Sequence, residues 1–163
     1  APTTRHQNIV YNVSFILKSK LLNKSCRPFV APTDVVLSEY DVVQPDVFVV
    51  CDEKKITEAN IQGAPDLIVE VLSPATALKD KREKKNLYEK YGVKEYIIVD
   101  PAAQYVERFL LEEGGLYVKS EIFGPKEVLP LVSLKEIEIP LWEIFEVEEP
   151  KDQEKKEQCI PNG

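Results

Sequence analysis

No apolar run in this chain approaches the roughly 20 residues that a helix needs to cross a bilayer, and no basic-plus-apolar leader opens it. Methionine is absent, initiator included, which suggests that the sequence is not a raw translation product. Cysteine is scarce: Cys26, Cys51 and Cys159, with no CxxC spacing. Such an odd, scattered set points away from a disulfide framework and a structural zinc site, and toward a reducing cytoplasm. Histidine occurs once, as His6. Alone near the chain start, it reads as a surface residue of a helix start rather than a ligand. Excess positive charge is missing too. The net charge of -7 speaks against non-specific affinity for polyphosphate over the whole surface. A local basic strip is still allowed, because screening at physiological salt acts over about 8 Å.

What is present fits one folded domain. A length of 163 residues with 44% hydrophobic content can bury a proper core. Residues 1–146 are expected to form that domain, and the charged stretch 147–163 a flexible tail. Ile9, Val13, Ile16, Leu17 and Leu21 recur at helical spacing, which predicts a helix over about 4–23. FVAPTDVVL reads as a strand broken by proline. Residues 46–51 and 66–72 read as strands apolar on both faces, hence a sheet covered on both sides. The polar stretch 52–63 between them is a loop or short helix. A helix over about 79–91 ends at Gly92. Residues 95–100 form a third buried strand, which Asp100-Pro101 turns. A hairpin follows, 105–111 and 116–122, around Glu113-Gly114-Gly115. The apolar patch from Ile137 to Phe145 is expected to close the sheet.

The chemistry-bearing residues lie on the two inner strands. Asp46 opens the first and Glu70 lies near the end of the second. A carboxylate in apolar surroundings is costly unless it is paired or bound to a metal. If the strands are antiparallel neighbours, the start of one meets the end of the other, and the two carboxylates form a pair of hard oxygen ligands suited to Mg2+. Asp66 shares a face with Glu70 but lies about 13 Å away along the strand, so it reads as a turn residue opening the strand. On the following helix Asp80, Lys84, Leu87, Tyr88 and Tyr91 make one stripe. Lys84 therefore lies on the packed face, either as a site cation or as a stem whose ammonium reaches outward. Lys81, Arg82, Lys85 and Lys90 lie off it. They read as a solvated basic face, with a strip that tracks phosphates as the alternative.

The strings VVQPDVFVVCD, GAPDLIVEVLSP and GVKEYIIVDP, with Asp80, Lys84 and Tyr88 at fourfold spacing between the last two, carry a resemblance. From Pro2 to about Phe145 the chain resembles the bacterial restriction-endonuclease-like family of the PD-(D/E)XK nuclease superfamily. The resemblance implies an α/β (α+β) fold, with a mixed central β-sheet flanked by helices and C-terminal hairpin strands. It implies an endonuclease that hydrolyses phosphodiester bonds of DNA with Mg2+ or Mn2+. Asp46 matches the aspartate of the PD element and Glu70 the acidic residue of (D/E)XK, with the Val71 backbone carbonyl as a further metal ligand. The position two residues after Glu70 departs from the pattern, being Leu72 where the motif has lysine. Lys84 on the following helix matches the relocated lysine of this family. Family members carry a further upstream segment with an acidic residue, which implies that this chain starts inside the domain. In this reading Lys81, Arg82 and Lys85 contact nucleic acid, and no membrane is involved. A homodimer is left open. The competing class is a catalytically silent nuclease-like scaffold kept for nucleic-acid or protein binding.

Overall fold

A computed structural model describes residues 1–151, apart from the side chain of Asp80. Cys159 and most of the expected tail, residues 152–163, lie outside the described residues. The chain starts with helix α1 (Thr4–Lys20), capped by Thr3, whose hydroxyl accepts from the His6 N–H at 3.1 Å. It buries Ile9, Val13, Ile16 and Leu17, the stripe that the spacing predicted. Strands β1 (Arg27–Val30), β2 (Val35–Val36), β3 (Val42–Val43) and β4 (Val47–Val50) follow. The proline break falls between β1 and β2, at a cis Ala31–Pro32 bond. A short 3-10 turn (Glu53–Lys55), β5 (Ile61–Gln62) and β6 (Leu67–Val71) come next.

The helix expected over 79–91 is irregular. Helical segments α2 (Ala77–Lys79) and α3 (Lys85–Lys90) flank a π-helical turn over Asp80–Lys84. Such wide turns are frequent at functional sites. Strands β7 (Glu95–Asp100), β8 (Tyr105–Leu110) and β9 (Ser120–Phe123) complete a six-stranded sheet in the order β1-β4-β6-β7-β8-β9. Only β6 and β7 pair in parallel within it. Asp100 closes the β7–β8 turn by accepting from the N–H groups of Ala102 and Ala103, both at 3.0 Å.

The inner strands are buried on both faces, because alternate residues enter two separate cores. Val47, Val49, Leu67, Val69 and Val71 pack with α1. Phe48, Val50 and Ile68 pack with Tyr88 of α3 and with Val35 and Ile61 of a small sheet ordered β3-β2-β5.

Two expectations need correction. The Ile137–Phe145 patch does not close the central sheet. It forms β11 (Glu138–Pro140), paired with β10 (Val128–Pro130) as a separate ribbon, and helix α4 (Leu141–Phe145). Its apolar residues cover the α1 side of the sheet instead. The cysteines are also not all free, since Cys26 and Cys51 form a disulfide with Cα atoms 4.0 Å apart. They stand just outside the Arg27↔Val50 pair of β1 and β4, so antiparallel register places them opposite each other. Scattered in sequence, they are neighbours across a ladder. The inference of a reducing cytoplasm thereby loses its premise, because disulfides persist mainly in oxidising compartments. Among the described residues no helix is long and apolar enough to cross a membrane.

Candidate active site

The antiparallel pairing of β4 with β6 brings Asp46 beside Glu70. Val47 faces Val69, and one further step sets residue 46 against residue 70. Two backbone-to-carboxylate bonds tie the strand ends together. The Asp46 N–H donates to Glu70 Oε1 at 2.9 Å, and the Val71 N–H donates to Asp46 Oδ2 at 2.8 Å.

The Gln44-Pro45-Asp46 sequence explains why the ladder opens here. Another step along the register would put Pro45 opposite Val71. Proline has no N–H to give, so the Val71 carbonyl finds no donor on β4. At this strand end side chains take up both the carbonyl and the amide of Val71.

His6 takes the carbonyl. Its Nε2 lies 2.9 Å from the Val71 oxygen and 3.5 Å from Asp46 Oδ2. The residue is 9% exposed, so the expectation of a surface histidine fails. The missed signal was available: stepping the α1 stripe back from Val13 and Ile9 by helical spacing lands on position 6. The expectation took His6 for an isolated residue, whereas it is the first residue of the buried face.

Lys84 also reaches the corner. Its ammonium contacts Glu70 Oε2 at the end of the π-helical turn. Glu70 is 1% exposed, and its pKa is raised to about 7. Burial is the main cause, opposed by the Lys84 charge and reinforced by the Asp46 charge. Tyr88 and Leu87 anchor this helix in the core, and the Tyr91 hydroxyl donates to Asp41 and Ser38.

Other candidates lie apart. Asp66 has a structural post: its Oδ2 accepts from the Cys51 N–H at 2.7 Å, and its Oδ1 lies 3.3 Å from Lys94 Nζ. Lys81 and Arg82 are exposed, and Lys81 donates to the Tyr105 hydroxyl at 3.2 Å. Lys85 is half-buried over the Phe109 ring, 5.0 Å from its centre. Two clefts adjoin the corner. One, of about 500 Å³, is lined by Thr3, Arg5, Leu72, Ser73 and Asp100. The other, of about 360 Å³, includes Gln44, Lys79, Glu83 and Lys84.

Among the described residues no three His, Cys, Asp or Glu side chains form a ready metal cage. The oxygens at the corner nevertheless suit a hard cation. Each carboxylate spends one oxygen on a backbone N–H, and the Val71 carbonyl adds a third oxygen donor. A buried carboxylate with a raised pKa gains most from a nearby cation. The donors are carboxylate and carbonyl, which favour Mg2+ or Mn2+ over softer metals.

Comparison with known proteins gives three findings. A family model, Uma2, described as "Putative restriction endonuclease", matches residues 1–141. An uncharacterized protein of Synechocystis is 28% identical over 127 residues, which cover 75% of this chain and 71% of that protein. A crystal structure of a "putative nuclease belonging to DUF820" from Anabaena variabilis superposes with a TM-score of 0.74 at 19% identity, covering 89% of this chain and 82% of the other. That likeness bears on the fold, which matches the mixed sheet with flanking helices expected from the sequence.

Proposed function

The chain belongs to the Uma2 restriction-endonuclease family, and from that premise we propose that it is a divalent-metal-dependent endonuclease acting on DNA. The observation that carries the reading is the juxtaposition of Asp46 and Glu70, tied by the Asp46 N–H to Glu70 and the Val71 N–H to Asp46, with Lys84 on the second carboxylate. Asp46, Glu70 and the Val71 carbonyl would hold Mg2+ or Mn2+. The ion would supply positive charge against the phosphoryl oxygens and acidify the attacking water.

The protein's own groups do the rest. Lys84 donates to the charge that develops on the phosphate or orients the water. Its proximity to Glu70 also offsets part of the cost of the buried carboxylate. Arg5 and Lys79, at the two clefts, offer phosphate contacts beside the exposed Lys81 and Arg82. Lys85, held over Phe109, contributes less to that strip than the sequence implied.

The test is cleavage of plasmid and linear DNA in Mg2+ and in Mn2+, with EDTA and Glu70→Gln as controls. The reading predicts cleavage that both controls abolish. If no DNA or RNA is cut in either metal, the non-enzymatic scaffold is the better account.

A further inference from the structure

The His6 ring closes the corner from a third element, and its chemistry there is determined by its partners. A backbone carbonyl only accepts hydrogen bonds. The 2.9 Å contact between His6 Nε2 and the Val71 oxygen therefore requires the proton on Nε2. Nδ1 lies 3.2 Å from Gln7 Oε1.

The ring also packs 3.5 Å from Asp46 Oδ2, the oxygen that receives the Val71 N–H. His6 thus contacts both the Val71 carbonyl and the carboxylate that holds the Val71 amide, in the place where Pro45 removed the neighbouring strand's donor. The Thr3 cap and the buried stripe of α1 fix where the ring stands.

We infer that His6, donating from Nε2 to the Val71 carbonyl, is a positioning residue of this site. It aims the Val71 carbonyl and steadies the Asp46 carboxylate, so that both present oxygen to one cation. The inference rests on the metal-dependent reading above and adds to it a residue on α1 that donates a hydrogen bond rather than ligating. Partners of this kind change metal affinity by about 10–100-fold when removed.

The experiment is calorimetric titration of the full chain with Mn2+, comparing wild type, His6→Phe and His6→Gln, with thermal unfolding of each metal-free protein. Phenylalanine keeps a ring in the space and removes the donor, and glutamine restores an amide donor. The expected result is affinity about 10–100-fold weaker for His6→Phe and largely recovered in His6→Gln. A purely structural histidine would lower the melting temperature of His6→Phe without moving affinity, which overturns the inference. Equal weakening in both variants also overturns it, because the donor would then not matter. If wild type binds no divalent ion, the metal-dependent function itself fails and this inference falls with it. Nitrogen NMR adds an independent arm, since the chain's single histidine gives one set of ring signals. A neutral ring carrying its proton on Nδ1 would contradict the assignment.

Discussion

Two buried glutamates on neighbouring strands, Glu70 of β6 and Glu95 of β7, show how one side chain serves two ends of a sheet. They are 1% and 0% exposed. Glu95 opens β7 opposite Leu67, and Glu70 sits toward the other end, opposite Ile98. Glu95 is saturated. It accepts from the Ser133 N–H at 2.9 Å, the Ser133 hydroxyl at 2.6 Å, the Val132 N–H at 3.1 Å and Arg108 Nη1 at 3.2 Å. Arg108 in turn binds the Pro130 carbonyl and Glu121, so the cluster fastens the β10–β11 ribbon to the sheet. Glu70 has the Asp46 N–H and Lys84, but also a second carboxylate beside it. A carboxylate supplied with all its donors is architecture. One that shares a strand end with a second carboxylate and has a raised pKa is where the proposed cation would sit, and perturbed groups of this kind gather at functional sites.

The sharpest way to break this comparison is to remove each charge in turn. Glu95→Gln should destabilise the protein by up to about 3–5 kcal/mol in urea unfolding, because it leaves buried Arg108 with the exposed Glu121 as its remaining carboxylate. The remaining folded protein should bind Mn2+ as wild type does. Glu70→Gln should do the reverse, sparing stability and removing metal binding. Equal effects on both properties from both variants would erase the distinction.

Titration sharpens it further. With a folded pKa of about 7 against an ordinary 4.5, Glu70 holds its proton more tightly when folded. Its contribution to stability is therefore full below pH 4.5 and is lost as pH rises through 7. Unfolding free energy of the metal-free protein should fall by up to about 3 kcal/mol over that window relative to Glu70→Gln. Metal affinity should rise over the same range, since proton and cation compete for one oxygen pair. A wild-type profile parallel to that of Glu70→Gln would contradict the assignment.

Lys84→Ala should lower cleavage by about 10²-fold, the range lost with one electrostatic donor, while moving metal affinity much less than Glu70→Gln does. The smallest effect belongs to Lys85→Ala. It loses a ring contact worth about 0.5–1 kcal/mol and lowers the slope of DNA affinity against salt by about one at most. If Lys85→Ala slowed cleavage as much as Lys84→Ala, a general basic face would explain both.

The strands and the carboxylate pair were legible in the sequence, because strand-length apolar runs bounded by Pro45 and Pro65 fix both the elements and the ends that meet. Lys84 was legible from the stripe it shares with Leu87, Tyr88 and Tyr91, although the π-helical turn that carries it leaves no mark in residue spacing. What was hidden depends on pairing between distant segments. The Cys26–Cys51 bridge needs the β1–β4 register. The Glu95–Arg108 cluster needs the β7–β8 register plus a ribbon folded over it. The Ile137–Phe145 patch is apolar enough for a sheet strand, but the central sheet ends at β9 and the patch serves the opposite core. His6 was hidden for a different reason: an isolated histidine looks like surface until the helix stripe is extended by one turn.

The central claim is that Asp46, Glu70 and the Val71 carbonyl form one cation site. A crystal soaked in Mn2+ and measured at the manganese absorption edge tests it most directly. The account predicts a single anomalous peak touching both carboxylates and that carbonyl, at distances of about 2.0–2.3 Å, within the range for hard divalent ions on oxygen. A peak elsewhere, or a well-ordered corner with Lys84 still on Glu70 and no peak at saturating Mn2+, would contradict it.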